Sequence, residues 1–259
     1  MDIATLWEHI SRETQEAVEQ EPALASFYHA CILNHGSLCD ALSYQLASQL
    51  GNEAVPAILL RETFDEALRE SAVIVDSARA DIEACRERDP ACDRYYLPLL
   101  YFKGFHAIQA HRIAHWLWSQ GRTAMAMYVQ NRIAQVFDVD IHPAANIGKG
   151  ILMDHATGVV IGETAVIGDN VSMLHGVTLG GCGRAKGDRH PKVSSGVLIS
   201  AGAKILGNIA IGEGAKIGAG SLVLEPVLAH TTVAGVPAKR VGSPDTAQPA
   251  LNMDHRIEL

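Results

Sequence analysis

Aliphatic residues return at every sixth position between about residues 141 and 237, with Gly, Ala or Ser between them. The clearest series are Ile161, Ile167, Met173, Leu179 and then Ile199, Ile205, Ile211, Ile217, Val223. A period of six fits neither an amphipathic helix, whose period is about 3.6 residues, nor the alternation of an isolated strand. It is typical of a β-solenoid, in which each six-residue unit forms one side of a coil and the aliphatic residues stack in the core.

This repeat slips by two residues at two places. One phase holds as far as Met153 and another begins at Ile161, so the first slip falls within residues 154–158. The second slip lies between Leu179 and Ile199 and contains the Gly-rich, basic segment GGCGRAKGDRHPKVSSG. Loops that leave a rigid scaffold carry function more often than the scaffold itself. We therefore expect site residues at both irregularities, although their glycines also suit ordinary turns.

The residues before the repeat have the spacing of helices. Apolar residues between Ala57 and Leu68 recur three and four positions apart, and Pro56 suits the first turn of a helix. The tail after the repeat is polar, contains prolines and lacks periodicity, which favours a flexible extension. The predicted organisation is a helical domain over residues 1–138, a β-solenoid over 139–241 and a flexible tail over 242–259.

Composition and charge narrow the classes of function. A chain of 259 residues with 48% hydrophobic and 19% charged residues is globular, with a sizeable core. A formal charge of −8 disfavours nonspecific nucleic-acid binding, which needs Lys and Arg to neutralise phosphates. The N-terminus lacks the features of a signal peptide and no run has the length of a membrane span, so we expect a cytoplasmic protein. Five cysteines without a CxxC pair argue against a zinc site or a disulfide framework.

Two histidines lie at the irregularities, His155 in MDHATG and His190 in GDRHP, and His142 and His175 are close to them in sequence. With about 18 residues in a coil and a slip of two, His155 and His175 are expected to stack on neighbouring coils. A neutral imidazole backed by a carboxylate suits removal of a proton from a hydroxyl or amine, which contributes about 10²–10⁴-fold in rate. The available carboxylates, between which the spacing does not choose, are Asp140, Asp154 and Asp188.

Longer motifs lie between residues 88 and 242. They are RDPACDRYYLPLLYFKGFHAIQAHRIAHWLW, DVDIHPAANIGKGILMDHATGVVIGETAVIGDNVSMLHGVTLGG, GDRHPKV, ILGNIAIGEGAKIGAGSLVL and AGVPAKRVG. Together they resemble the serine O-acetyltransferases of cysteine biosynthesis, and the combination of RDPA, DHATG and GDRHP is more specific than the repeats. The resemblance implies an α+β fold, with a left-handed parallel β-helix behind the N-terminal helical domain. It also implies a homo-oligomer, a hexamer built from two trimers.

The resemblance further implies roles for individual residues. His155 would be the general base and Asp140 the carboxylate that orients its ring. The hydroxyl of L-serine would attack the thioester of acetyl-CoA directly, without a metal, and backbone N–H groups near Gly181 would stabilise the oxyanion. Cys182 is discounted as a nucleophile, because no residue pattern requires a covalent step. The residues implied to bind L-serine, and L-cysteine as feedback inhibitor, are Asp89, Asp154, Arg189 and His190.

A groove for the pantetheine arm of acetyl-CoA is expected where small residues fall on successive coils. These residues are Ala201, Gly202, Ala219 and Gly220, and the candidates for phosphate contacts are Lys216, Lys239 and Arg240. In the alternative interpretation the small residues only close corners and the basic side chains are solvated.

The last residues suggest a protein partner. In the family that this chain resembles, the extreme C-terminus inserts into the active site of O-acetylserine sulfhydrylase, and the terminal residue is usually Ile. This chain ends in Glu258-Leu259, which keeps an aliphatic side chain and the carboxylate. A displaced methyl group costs about 1–3 kcal/mol at most, so we expect weakened binding.

Three other functions stay open. A zinc carbonic anhydrase of the β-helix type would use His142, His155 and His175 as ligands, although GDRHP favours a transferase. A scaffold subunit without chemistry is disfavoured by the intact candidate residues. Acyl transfer to homoserine or a sugar remains an alternative, and Asp89 in the helical domain favours serine.

Overall fold

The structure is a computed structural model that describes residues 1–183 and 186–257. Its helices are α1 (Ile3–Gln20), α2 (Ala25–Tyr28), α3 (Leu38–Leu50), α4 (Ala57–Glu70), α5 (Ala72–Arg88), α6 (Tyr96–Tyr101), α7 (Lys103–Ser119), α8 (Thr123–Phe137) and α9 (Pro249–Asn252), with a 3₁₀ turn at Pro22–Leu24 and a π-helical turn at His29–Leu33. No helix in the described ranges is both long and apolar enough to cross a membrane.

The strands follow α8 and are short. They are β1 (Val139–Ile141), β2 (Asn146–Ile147), β3 (Leu152–Met153), β4 (Val159–Ile161), β5 (Val166–Ile167), β6 (Ser172–Met173), β7 (Thr178–Gly180), β8 (Lys192–Val193), β9 (Leu198–Ile199), β10 (Lys204–Leu206), β11 (Ala210–Ile211), β12 (Lys216–Ile217), β13 (Leu222–Val223), β14 (Thr232–Gly235) and β15 (Ala238–Gly242).

Strands on successive coils pair in parallel and form the three sides of a solenoid. Side 1 has the order β1-β4-β7-β10-β13, side 2 contains β2-β5-β8-β11, and side 3 contains β3-β6-β9-β12-β14. The architecture is the left-handed β-helix of hexapeptide repeats, as the sixfold spacing and the resemblance predict. At its end β15 pairs antiparallel with β14, so the last coil finishes in a hairpin. We call the turn from side 3 to side 1 corner 3/1 and the turn from side 1 to side 2 corner 1/2.

The pairing register confirms both predicted slips. Val160 pairs with Thr178, 18 residues further on, which is the regular length of a coil. Val139 pairs with Val159, so the first coil has 20 residues and carries two more than the regular number. Thr178 pairs with Lys204, so this coil has 26 residues. The extra residues lie at corners, which keeps every strand in register with its neighbours.

The helical domain packs on the solenoid through α5 and α7. Arg112 Nη2 of α7 lies 2.6 Å from Asp81 Oδ2 of α5, and both side chains are buried. Asp81 Oδ1 also accepts a hydrogen bond from Ile151 N, and Arg112 Nη1 donates to Gly148 O. A Cβ on Gly104 would meet Met153 O at 2.0 Å, so only glycine allows α7 to approach the solenoid this closely. One continuous apolar core therefore joins the two regions.

The described part of the tail lies along side 3. Ala250 in α9 is fully buried and its carbonyl accepts a hydrogen bond from Ser172 Oγ at 2.8 Å. Ser200 Oγ lies 2.7 Å from His255 Nδ1, and Lys216 Nζ donates to the carbonyl of Arg256. These contacts place the described tail residues against side 3, although the few apolar residues of the tail show no periodicity. Glu258 and Leu259, on which the predicted sulfhydrylase contact rests, lie outside the described residues.

Candidate functional site

The first irregularity forms a strained turn at corner 3/1, between β3 and β4. Ala156 N donates to Asp154 O at 2.6 Å and Thr157 N donates to His155 O at 2.7 Å, so two three-residue turns follow one another. Their central residues, His155 and Ala156, have φ values of 56° and 60°. This left-handed conformation costs residues with a Cβ roughly 1–3 kcal/mol each. The turn leaves 72% of the His155 side chain exposed.

This turn borders a cavity of about 350 Å³ between the helical domain and the solenoid. Three predicted site residues, Asp89, Asp154 and His155, line the cavity together, and Tyr101 and Lys103 complete its polar wall. Asp89 is the C-cap of α5, and Asp154 follows β3. Two carboxylates and one imidazole around a cavity of this size suit a small substrate with an ammonium group.

The contacts of His155 concern two predictions, its position beside His175 and its pairing with Asp140. His155 and His175 stack on neighbouring coils as predicted, with ring centroids 5.9 Å apart. His155 Nε2 lies 3.7 Å from Asp154 Oδ2. Asp140, the predicted orienting carboxylate, is on side 1 and accepts a hydrogen bond from Gln130 Nε2 at 2.7 Å. No hydrogen bond or ion pair joins Asp140 to His155 in the described part of the chain.

The second irregularity places His190 at corner 1/2. Thr164 N donates to His190 Nδ1 at 3.1 Å, which fixes the proton of the neutral ring on Nε2. The Thr164 hydroxyl in turn accepts the backbone N–H of Arg189 and of His190. Burial lowers the pKa of His190, and the neighbouring Arg189 lowers it further. A Cβ on Gly162 would lie 2.0 Å from His190 Nε2, so the imidazole occupies the space that this glycine leaves.

Arg189 and Gly181 lie at the same corner. Arg189 Nη2 is 2.5 Å from Glu163 Oε2, and this hydrogen bond lowers the pKa of Glu163. A Cβ on Gly181 would lie 3.3 Å from His190 Nε2 and from Arg189 Cγ. Burial lowers the pKa of His142, while the charge of Glu163 raises it and that of Arg189 lowers it. The predicted carboxylate-binding and oxyanion residues therefore form one group.

The two groups lie at opposite ends of side 1. Strand β4 (Val159–Ile161) runs from the corner of His155 to the corner of Gly162. At about 3.3 Å per residue, the four steps from Gly158 to Gly162 separate the corners by roughly 13 Å. The predicted residues therefore do not converge within one chain. The three histidines of the carbonic anhydrase alternative are divided in the same way, and the described residues contain no cluster of three or more side chains placed to hold a metal.

Glycines form a column along corner 3/1. A Cβ built on Gly158 would lie 3.9 Å from the Cα of Gly176. A Cβ on Gly176 would lie 3.4 Å from the Cα of Gly202, and a Cβ on Gly202 would lie 3.9 Å from the Cα of Gly220. All four have φ between 65° and 72°. The column starts at the turn of His155 and leaves a strip of bare backbone along the corner. Two predicted cofactor residues belong to it, Gly202 and Gly220, and Ala201 and Ala219 precede them.

The predicted phosphate-binding residues lie beside this strip. Lys216 in β12 is 5% exposed, because the tail covers it. A Cβ on Gly218 would lie 2.7 Å from Ile257 Cδ1, so the tail reaches the next turn of the groove. Lys239 and Arg240 in β15 are exposed. The pantetheine arm and the phosphates are predicted to bind along this strip and these basic side chains, and the tail covers part of the same surface.

Five residues at these corners escaped the sequence analysis. They are Lys103, Gln130, Thr157, Glu163 and Thr164. Thr157 lies in the same motif as His155, and Thr164 lies in the turn after β4. A hydroxyl within an irregular turn is a signal from which both residues could have been predicted. Lys103 and Gln130 lie in the helical domain, far along the chain from the histidines, and no local pattern marks them.

Comparisons with known proteins find the same family of relatives for the N-terminal helical region and for the repeats. Residues 6–110 match the family model "Serine acetyltransferase, N-terminal", and residues 190–225 match "Bacterial transferase hexapeptide (six repeats)". The chain is 57% identical to the serine acetyltransferase of Escherichia coli K12 over 256 residues, which are 99% of this chain and 94% of the relative.

Three similar solved structures are complexes with a ligand. A serine acetyltransferase in complex with cysteine has a TM-score of 0.97 at 56% identity, covering 98% of this chain and 99% of the other. The Brucella abortus enzyme in complex with coenzyme A has a TM-score of 0.91 at 53% identity, covering 94% of this chain and 96% of the other. The Neisseria gonorrhoeae enzyme in complex with serine has a TM-score of 0.89 at 55% identity, covering 92% of this chain and 97% of the other.

Proposed function

The chain belongs to the serine acetyltransferase family, and on that premise we propose that it transfers the acetyl group of acetyl-CoA to the hydroxyl of L-serine, giving O-acetyl-L-serine for cysteine biosynthesis in the cytoplasm. The observation that carries this proposal is the grouping of Asp89, Asp154 and His155 around one cavity of about 350 Å³. The paired carboxylates suit the ammonium of an amino acid, and the exposed imidazole suits its hydroxyl.

The active site is completed by a second copy of the chain. One protomer supplies the corner with Asp154 and His155, and its neighbour supplies the corner with Gly181, Arg189 and His190. Side 1 lies between these corners, and its outward residue Val160 is 40% exposed, which suits a subunit contact. A trimer that repeats this contact three times, and a hexamer of two trimers, follow from the family resemblance.

In the reaction, His155 removes the proton of the serine hydroxyl as its oxygen attacks the thioester carbon of acetyl-CoA. Backbone N–H groups near Gly181 stabilise the oxyanion of the tetrahedral intermediate. The intermediate then collapses, the C–S bond breaks and the imidazolium returns its proton to the sulfur of CoA. Asp140, exposed on side 1, orients the ring and stabilises the imidazolium once the second copy is in place. No acyl-enzyme forms.

Acetyl-CoA lies along the glycine column of corner 3/1. The column leads away from His155, so a pantetheine arm on Gly202 and Gly220 brings the thioester to the base. Lys239 in β15, and Lys216 in β12 once the tail has moved away from it, bind the phosphates. The Brucella abortus relative with bound coenzyme A supports this co-substrate.

L-Cysteine inhibits by binding in place of L-serine. The two amino acids differ only in the side-chain oxygen or sulfur, so a site that holds their shared ammonium and carboxylate accepts both. The relatives with bound cysteine and with bound serine support this proposal. We expect competitive inhibition, and weaker binding of both ligands in Arg189→Ala. Cysteine inhibition at full strength in a variant that no longer binds serine would instead show a separate regulatory site.

O-Acetylserine sulfhydrylase is proposed as the partner of the C-terminus. A peptide of the last ten residues should compete with the substrate of that enzyme, and Leu259→Ile should tighten the complex. Since the preceding tail residues lie on side 3, the tail has to leave the solenoid to bind the partner. If a titration of the two enzymes is unchanged by deletion of residues 250–259, this proposal fails.

An acceptor screen tests the proposed reaction. CoA release from acetyl-CoA is followed with L-serine, L-homoserine or an amino sugar as acceptor, in a buffer with and without a chelator. L-Serine should give the fastest release, and the chelator should have no effect. Preference for another acceptor would replace serine in the proposal, and release that depends on a metal would favour the metalloenzyme alternative.

A further inference from the structure

A lysine of the helical domain contacts the turn that carries His155. Lys103, the first residue of α7, donates from Nζ to Thr157 Oγ1 at 2.5 Å. Thr157 Oγ1 is in turn 3.4 Å from His155 O, and Thr157 N donates to the same carbonyl. Lys103 is therefore linked through one hydroxyl to the backbone of His155. It also lines the cavity that His155 borders.

The turn has a conformation that needs external support. His155 and Ala156 both have positive φ, and each is the centre of a three-residue turn of the rarer, strained kind. Strained backbone persists only when the surrounding structure holds it. The Lys103–Thr157 contact supplies this hold from outside the solenoid. The close approach of α7 at Gly104, next to Lys103 in sequence, keeps the contact short.

We propose that Lys103 and Thr157 act as positioning residues for His155, holding the strained turn so that the imidazole faces the serine hydroxyl. The proposal rests on the acetyltransferase function and on His155 as its base. Without the contact, the turn relaxes toward ordinary backbone angles and the imidazole moves away from its place. A displacement of about 1 Å at a reacting group can lower the rate by about 100-fold.

Matched substitutions test the contact from both ends. Lys103→Met removes the charge and the donor at nearly constant length, and Thr157→Val replaces the hydroxyl by a methyl group. Each should lower kcat about 10- to 100-fold and leave KM for serine and acetyl-CoA within about twofold. Thr157→Ser keeps the hydroxyl and should keep kcat close to that of the wild type. The double variant should be no slower than the slower single variant, because both changes break the same contact.

The control is Lys149→Met. Lys149 Nζ also joins the solenoid to the helical domain, through Asp76 Oδ2 at 2.9 Å, but it lies away from the turn of His155. This variant loses an interdomain lysine contact of the same kind and should retain wild-type kcat. A kcat in Lys103→Met that equals the control would overturn the proposal. A rise in KM for serine at constant kcat would also overturn it, by making Lys103 a substrate contact.

A second readout does not depend on activity. Hydrogen exchange of the segment 154–158 reports whether the turn stays closed, since Ala156 N and Thr157 N are both hydrogen-bonded within it. Exchange in this segment should be at least tenfold faster in Lys103→Met and in Thr157→Val, and unchanged in Thr157→Ser and Lys149→Met. Equal exchange in all variants would refute the positioning role, even in a protein whose acceptor proved not to be serine.

Discussion

His155 and His175 lie on neighbouring coils with ring centroids 5.9 Å apart and ring planes inclined at 72°, yet only His155 borders the cavity with Asp89 and Asp154. The two residues therefore form a matched pair of variants. His155→Ala should lower kcat by about 10²–10⁴-fold with little change in acetyl-CoA binding, because a base acts mainly in the transition state. His175→Gln should keep kcat within about threefold.

Steady-state kinetics and a binding titration with CoA check this first prediction. Asp140→Asn should be milder than His155→Ala, because the imidazole remains and loses only its orienting carboxylate. Equal losses in the two histidine variants would point to a joint role such as metal ligation. Near-wild-type turnover of His155→Ala would remove His155 as the base.

The division of the site between two corners predicts complementation between inactive variants. His155→Ala and Arg189→Ala should each be nearly inactive alone. After the two proteins are unfolded, mixed and refolded together, about a quarter of the interfaces combine an intact His155 from one protomer with an intact Arg189 from the other. Activity should then return to about a quarter of the wild-type value. If both residues belong to the site of one chain, mixing restores nothing.

The position of the tail predicts an effect on co-substrate affinity. His255 and Ile257 lie along the groove of corner 3/1, and Lys216 Nζ is held by the carbonyl of Arg256. Deletion of residues 246–259 frees the groove and the lysine, so KM for acetyl-CoA should fall several-fold while KM for serine stays constant. Leu251→Ser, at a half-exposed tail position, is the control and should leave KM unchanged. An unaltered KM in the deletion variant would mean that the tail and acetyl-CoA do not compete.

The solenoid could be predicted because residues close together in the sequence determine each of its coils. Each coil is set by aliphatic residues spaced six apart, so the sides follow from the spacing, and the slips at 154–158 and after Leu179 mark the corners with longer turns. The site was less predictable. The sequence places His155 and His190 at the two slips of the repeat, but nothing in the spacing shows that a full side of the solenoid separates them.

Contacts between distant parts of the chain had no pattern that the sequence could show. Lys103 reaches Thr157 across 54 positions, and Gln130 reaches Asp140 from the preceding helix. The tail was predicted to be free because its composition is polar. In the structure three apolar residues of the tail, Ala250, Met253 and Ile257, pack against the rest of the protein, and polar contacts from side 3 accompany them. The irregular spacing of these three residues matches no period.

The buried ion pair between α5 and α7 predicts a large loss of stability. Arg112→Ala leaves the buried carboxylate of Asp81 without its cation, which should lower the free energy of unfolding by about 3–5 kcal/mol. Arg122 forms a pair of the same length with Glu66, but both side chains are more than a third exposed. Arg122→Ala should therefore cost no more than about 1 kcal/mol. Denaturant titrations of the two variants measure the free energy of unfolding. An equal decrease in both variants would contradict the difference in burial between the two ion pairs.

Two buried histidines predict a loss of stability in acid. Burial lowers the pKa of His106 to about 4 and that of His111 to about 3, against 6.5 for the free side chain. Between pH 6.5 and these values the unfolded chain binds more protons than the folded one, so stability falls as pH falls. Each histidine contributes up to about 1.4 kcal/mol per pH unit.

Thermal or denaturant midpoints between pH 5 and 7.5 measure this slope. His106→Gln removes one titrating group while keeping a donor for the carbonyl of Leu99, which His106 Nε2 contacts at 2.8 Å. The slope should then become shallower, although the variant is less stable at pH 7.5. A slope that matches the wild type would assign the acid sensitivity to other groups.

The hairpin of β14 and β15 determines where the stack of coils stops. A parallel β-helix leaves unpaired backbone N–H and C=O groups at its last coil, and such an edge is a template on which another chain can add. On side 3, β15 folds back antiparallel and takes up the edge of β14. β15 then forms the outer edge of side 3 and runs antiparallel to the coils. A second molecule therefore cannot continue side 3 in the parallel register of the stack, and end-to-end growth of fibres by further coiling stops at this strand.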